Sequence, residues 1–330
     1  MRHVLVGVLA VVALGCGSDP SPAADATTSA GDAATSDGPR AVEDAATADS
    51  SAPQPDAASD ATYRNSLAVC WTDTACPRVM AIAHGGMWDA TSVPYDSDAA
   101  IAAAYAAGYE GVKIDVRITS DGVPVIAHSS PIEVYESLDC ANQKIEDMTA
   151  AEVTACHRFP SSTETFQRLN NVLDYLRGKM VAQLTVKRSV DYAATIADVL
   201  AQNAEGFAFF EVSTDELQNQ IPTITGGDQV YYLINVASNL SEVDVLIDTI
   251  ANPRAFMYEF DPGIDLGDLI ATRLHPAGIR AFTYDSSPTL SVAQIEGYYN
   301  QGFDVVSSQA ADNGVTARIH INQSRGVSPP

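Results

Sequence analysis

From residue 79 onward, short apolar runs alternate with longer stretches in which apolar residues recur every three or four positions. The runs at 79–84, 111–117, 180–187, 206–212, 229–235, 254–260, 279–284 and 303–307 have the length and composition of buried strands. Helical spacing occupies 97–107, 166–177, 190–203, 214–220, 241–250, 265–274 and 291–301. Gly108, Gly178, Gly206 and Gly278 stand where a helix must stop before the next strand, as glycine C-caps do. Eight strands with intervening helices predict an α/β domain, either a closed parallel barrel or a doubly wound sheet. One extra run, 123–127, follows the second strand across Ser120-Asp121-Gly122 and predicts a hairpin. Residues 129–165 read as an irregular excursion. Neither a repeat of fixed period nor a second domain is visible.

The chain before residue 63 reads differently. Arg2 and His3 precede the apolar run from Val4 to Leu14, the form of a secretion signal. The run is shorter than the ~20 residues a membrane-spanning helix needs. It ends Ala13-Leu14-Gly15-Cys16, which resembles the bacterial lipobox; residues 1–15 therefore read as a signal peptide and Cys16 as a lipid-bearing first mature residue. Residues 16–62 contain no aromatic, and past Cys16 their only aliphatic larger than Ala is Val42. Such a segment cannot bury enough apolar surface to offset its conformational entropy, and a disordered tether spanning roughly 40 Å is expected. The expectation is an exported bacterial lipoprotein of the cell envelope, on the periplasmic or outer surface. It is held to a membrane through its N-terminus, with residues 63–330 as one folded domain.

Charge narrows the partners. The chain carries −24; without the tether's −8 and the leader's +1, the folded part keeps −17. A surface of that sign repels phosphate backbones, so nucleic acid is excluded as an expected partner. Four cysteines follow Cys16, an even number that in an exported chain predicts two disulfides. Of the three pairings allowed, Cys70 with Cys76 and Cys140 with Cys156 close short local loops and are the expected ones.

The candidate chemistry lies in two segments. One is Ile82-Ala83-His84-Gly85-Gly86, ending the first strand; the other runs from Lys113 to His128. Strand alternation puts Lys113, Asp115 and Arg117 on one face. Charged residues at the C-terminal ends of parallel strands are where a barrel builds its active site, and burying them without partners is costly.

In order from about 79 to 312, these residues resemble the glycerophosphodiester phosphodiesterases. His84 stands at that family's first histidine. Asp115-Val116, then Thr119-Ser120-Asp121-Gly122-Val123-Pro124-Val125 and His128, follow its second strand and hairpin without a gap. Phe282-Thr283 resembles its Trp-Thr strand, and Gly302-Phe303-Asp304-Val305-Val306 its closing strand. The resemblance implies a single (β/α)₈ barrel acting on glycerophosphodiesters or lipid head-group phosphodiesters. It implies His84 and His128 as the acid/base pair, Asp115 as a ligand of a divalent cation such as Ca²⁺ or Mg²⁺, and Lys187 as the basic residue of the third barrel strand. Lys113, Lys187 and Arg117 are the candidate phosphate-binding cations.

Four departures qualify that reading. The family's arginine after the first histidine is Gly85, and its Pro-Glu-Asn-Thr segment is Pro94-Tyr95-Asp96-Ser97. Its two metal-binding glutamates are Lys113 and Thr185. One remaining carboxylate is a poor site for a hard cation, which takes several oxygen ligands. By analogy with metal-independent bacterial phosphatidylinositol phospholipases C, a related barrel family, Lys113 stands in for the cation and Asp115 fixes it. The alternatives are a Lys113–Asp115 salt bridge in a decayed site and a catalytically inactive barrel that binds a phosphorylated or polyol ligand. Glu110 and Glu211 are candidates for surface or salt-bridge roles, with a replacement metal ligand as the alternative, and Glu259 and Asp261 for a relocated carboxylate site. His157, His275 and His320 match no motif.

Overall fold

Each of the eight predicted runs forms a strand, and the predicted hairpin adds a ninth. They are β1 (Met80–His84), β2 (Gly111–Ile118), β3 (Pro124–Ile126), β4 (Val181–Val186), β5 (Ala208–Ser213), β6 (Tyr231–Ala237), β7 (Ala255–Phe260), β8 (Arg280–Asp285) and β9 (Val305–Ser308). The computed structural model describes residues 64–327, except Ala90, Asn239, Ile250, Ala251 and Pro253. The expected signal peptide, Cys16 and the expected tether to residue 62 lie outside the described residues.

The choice between barrel and open sheet is decided at β1. It pairs in parallel with β9 (Met80 opposite Val305) and with β2 (Ile82 opposite Gly111), so the sheet closes. Eight parallel strands form one α/β barrel, and β3 returns antiparallel along β2.

The helices are α1 (Asp98–Ala107), α2 (Ala150–Val153), α3 (Leu169–Leu176), α4 (Tyr192–Ala201), α5 (Leu240–Thr249), α6 (Val292–Asn300) and α7 (Ala311–Ser324). The expected helices at 214–220 and 265–274 are instead single wide turns, Glu216–Gln220 and Ile270–Leu274. Each runs into a proline, Pro222 or Pro276, which has no N–H to continue a regular ladder. Helix α7 was not expected, because its apolar residues lack a clear period and Gly314 interrupts them. A Cβ on Gly314 would approach the Tyr109 hydroxyl to 2.7 Å, so close packing requires the glycine there.

Inside the barrel, Met80, Ile82, Val181, Phe209, Leu233, Met257, Phe282 and Val305 form a buried apolar cluster with Leu67 and Trp71. These two come from the segment before β1, which lies across the N-terminal end of the barrel. The Leu67 amide donates to the Gly206 carbonyl at 2.8 Å, and the Thr74 hydroxyl to that of His275 at 3.1 Å. Arg280 donates to the carbonyls of Asp73 and Cys76. The Cys70–Cys76 disulfide closes this plug, and Cys140–Cys156 ties the excursion after β3; both expected pairings form.

Candidate active site

The open end of the barrel is built from the residues that follow the apolar layer. β1 ends in His84, after which Gly85 and Gly86 turn the chain through positive φ (70° and 81°). The loop beyond returns to start α1, whose Ser97 hydroxyl caps the Ala100 amide at 3.2 Å. Capping at Ser97 fixes the two residues before it. Tyr95 lies back over β1, where a Cβ on Gly85 would overlap its ring. Asp96, at φ 54°, is buried beside β2 and accepts the Asp115 amide on Oδ2 at 3.1 Å.

Alternation along β2 turns Lys113 and Asp115 inward, as expected. Lys113 Nζ lies 2.5 Å from Asp115 Oδ1, and Lys187 Nζ, just past β4, lies 2.7 Å from the same oxygen. The other Asp115 oxygen accepts the Tyr95 hydroxyl at 2.8 Å. Lys113 Nζ also donates to that hydroxyl at 3.3 Å. One fully buried carboxylate is therefore held by two ammonium groups and a phenol.

The two histidines flank the same phenol. Ring centroids of His84 and His128 lie 5.8 and 5.9 Å from that of Tyr95. His84 stacks on Tyr284 of β8 at 4.2 Å and 11°, and its Nδ1 is 3.4 Å from the Tyr95 hydroxyl. His128 is fixed through its backbone. Its amide donates to Glu136 Oε1 at 2.8 Å, and its carbonyl accepts two Arg117 N–H groups at 3.0 and 2.8 Å. Its Nδ1 is 2.7 Å from the Tyr135 hydroxyl.

Burial and these charges set the protonation states. Desolvation, reinforced by Lys113, holds His84 well below the ordinary imidazole range; desolvation also lowers His128, against the opposing pull of Asp115. Burial alone would raise the Asp115 carboxyl, but Lys113 and Lys187 outweigh it and keep the group ionised. Burial, with the Asp115 charge beside it, pushes Asp96 up to about 8. Asp96 Oδ1 has no hydrogen-bond partner among the described residues.

These residues do not fit a divalent cation. Asp115 already accepts from two ammonium groups and a phenol, so a cation on this carboxylate would face two fixed positive charges with a single carboxylate ligand. Among the described residues, no three His, Cys, Asp or Glu side chains converge on one point.

The remaining candidates separate by position. Glu211 accepts from Gln183 at 3.2 Å and Thr185 at 2.7 Å. Glu259, on β7, is buried; desolvation first and the Glu211 charge second hold its carboxyl well above the usual range. Asp261 is exposed just beyond β7. Glu110 accepts the Ala81 amide at 2.9 Å and pairs with Arg318 at 3.1 Å, a structural role. His157, His275 and His320 pair with Asp139, Asp304 and Glu296. Sequence reasoning missed the roles of Tyr95, Tyr135 and Tyr284. For Tyr95 a signal existed: Gly85 and Tyr95 depart from the family pattern at two positions that touch.

Comparison with known proteins bears on the fold. Residues 89–225 match the model of the Glycerophosphoryl diester phosphodiesterase family, a span holding Lys113, Asp115, His128 and Lys187 but not His84. A glycerophosphoryl diester phosphodiesterase from Parabacteroides distasonis is similar at 20% identity and TM-score 0.59, over 76% of this chain and 88% of that one. One from Agrobacterium tumefaciens is similar at 17% identity and TM-score 0.58, over 72% and 99%. A phosphodiesterase from Oleispira antarctica, in complex with the product sn-glycerol-3-phosphate, is similar at 18% identity and TM-score 0.54, over 78% and 100%. At these identities the likeness carries the fold. No curated protein matches the sequence.

Proposed function

We propose that this chain, whose residues 89–225 match the Glycerophosphoryl diester phosphodiesterase family, is a phosphodiesterase of that kind and cleaves a glycerophosphodiester or lipid head-group phosphodiester without a metal ion. The observation that carries the reading is the Lys113–Asp115–Lys187 group set beside two imidazoles. Two ammonium groups against one carboxylate leave a net charge of about +1, which complements a phosphodiester monoanion. Asp115 holds both ammonium groups in place before the substrate arrives. Preorganised positive charge of this kind stabilises the charge that develops on phosphorus-bound oxygens.

The proton chemistry follows from the two histidines. One imidazole takes a proton from the attacking oxygen as its bond to phosphorus forms. The other gives a proton to the leaving oxygen as its bond to phosphorus breaks. The two must begin in opposite protonation states, and His128, where the Asp115 charge opposes the desolvation, is depressed less than His84 and is the easier of the two to protonate. Arg117 serves this reading indirectly, through the His128 carbonyl, instead of as a phosphate ligand.

A second reading, a barrel that binds a phosphorylated or polyol ligand without turnover, is favoured by one observation. Glu259 Oε2, Gln183 Oε1 and Ser307 Oγ are buried and have no partner among the described residues, as hydroxyl-binding groups would be.

The test is to incubate the full-length protein with glycerophosphocholine and follow phosphorus by NMR, with Ca²⁺, Mg²⁺ or EDTA. Turnover that persists in EDTA and falls at least about 100-fold in His128→Ala is expected. Turnover abolished by EDTA would overturn the metal-free reading. Binding without turnover across several diesters would favour the second one.

A further inference from the structure

The Tyr95 hydroxyl is a junction whose hydrogen-bonding roles can be counted. A phenol has one hydrogen to donate and an oxygen that accepts. Its hydrogen goes to Asp115 Oδ2 at 2.8 Å, because that carboxylate has no hydrogen of its own to offer. Lys113 Nζ, at 3.3 Å, is a donor only and occupies the accepting side. The His84 Nδ1, at 3.4 Å, therefore makes a hydrogen bond to Tyr95 only if the imidazole is the donor. That requires the hydrogen on Nδ1 and leaves the lone pair on Nε2. Tyr135 imposes no such rule on His128. Its hydroxyl lies 2.7 Å from Nδ1 and is 42% exposed at the residue level, free to donate or accept there.

We propose that Tyr95 is a positioning residue: through the relay Asp115–Tyr95–His84 it holds His84 in the Nδ1–H tautomer, making His84 Nε2 the base and leaving His128 as the acid. In the reaction, Nε2 of His84 accepts the proton of the attacking oxygen as the new P–O bond forms. His128 releases its proton to the leaving oxygen, and exchange with water restores both. The base and acid assignments rest on the phosphodiesterase reading; the tautomer does not.

Tyr95→Phe removes the hydroxyl and keeps the ring over Gly85, so packing is preserved. The experiment is long-range proton–nitrogen NMR on the full-length protein labelled with ¹⁵N-histidine, which distinguishes the two neutral tautomers. His84→Gln assigns the signal. In the wild type the His84 signal has the Nδ1–H pattern; in Tyr95→Phe it moves to the Nε2–H form that free imidazole prefers, while the His128 signal stays in place. On any diester that the wild type turns over, Tyr95→Phe lowers kcat about 10- to 100-fold with KM within about twofold. An Nε2–H pattern in the wild type, or an unchanged tautomer in Tyr95→Phe, overturns the inference. Should the variant fail to fold, the wild-type spectrum alone decides it. Should no diester turn over, the tautomer still stands or falls on the spectrum, and the phosphodiesterase reading is what is lost.

Discussion

The two ends of the barrel are built from the same strands, one inward-facing position apart. On β1 the interior reads Met80 and Ile82, then His84. On β5 it reads Phe209, then Glu211; on β7 Met257, then Glu259; on β8 Phe282, then Tyr284; on β9 Val305, then Ser307. A step of two residues, about 6.6 Å, takes the interior from a dry cluster sealed by Trp71 to a polar mouth. Stability and chemistry are thus assigned to neighbouring layers of one sheet. A change in one layer need not be felt in the other.

The sharpest way to break that comparison is a crossed pair of substitutions. Lys113→Met removes one ammonium from the mouth but leaves Lys187 on Asp115. On the proposed phosphodiesterase reading, diester turnover falls about 10³-fold with a much smaller change in thermal midpoint, read by phosphorus NMR and calorimetry. Trp71→Ala empties the sealed end. Urea unfolding loses about 3–5 kcal/mol, while turnover per folded molecule stays within about twofold. If either variant moved both readouts by comparable amounts, the layers would be coupled and the comparison would fail.

A smaller effect sharpens it. The Asp96 carboxyl is held at about 8 in the folded protein and titrates near 4 when unfolded. Between those values the folded state binds the extra proton, so this group's contribution falls as pH rises from about 4 to 8. Asp96→Asn mimics the protonated form and keeps an acceptor for the Asp115 amide. Its advantage over the wild type should be larger at pH 8.5 than at pH 5 by about 4 kcal/mol, roughly three pK units at 1.36 kcal/mol each, measured by urea unfolding at both. An equal effect at the two pH values would mean that Asp96 is ionised in the folded protein throughout.

Much of the fold was legible because parallel strands buried on both faces leave short, mostly apolar runs, unbroken at 79–83 and 207–210. Closure into a barrel was not legible in the periodicity, since it depends on β1 pairing with both β2 and β9; it came from the family resemblance. Helix α7 was hidden because Gly314 answers to Tyr109, distant in sequence. In the site, Lys187 came with the family resemblance, while His84, Lys113 and Asp115 stood out as charged or titratable residues at strand ends. Tyr95 and Tyr135 did not, because a loop tyrosine reads as packing until its hydroxyl is seen against a specific atom. Arg117 was legible as an inward cation, yet its bonds go to the His128 carbonyl, a partner set by the turn after β3.

The overlap between Gly85 and Tyr95 also makes the two positions interdependent. An arginine at 85 alone would collide with the phenol ring, on a backbone at φ 70° that suits glycine. A glutamate at 95 alone would set a third carboxylate beside Asp115 and Asp96 and remove the phenol from His84. The two residues form one unit, and a substitution at either position takes its meaning from what stands at the other.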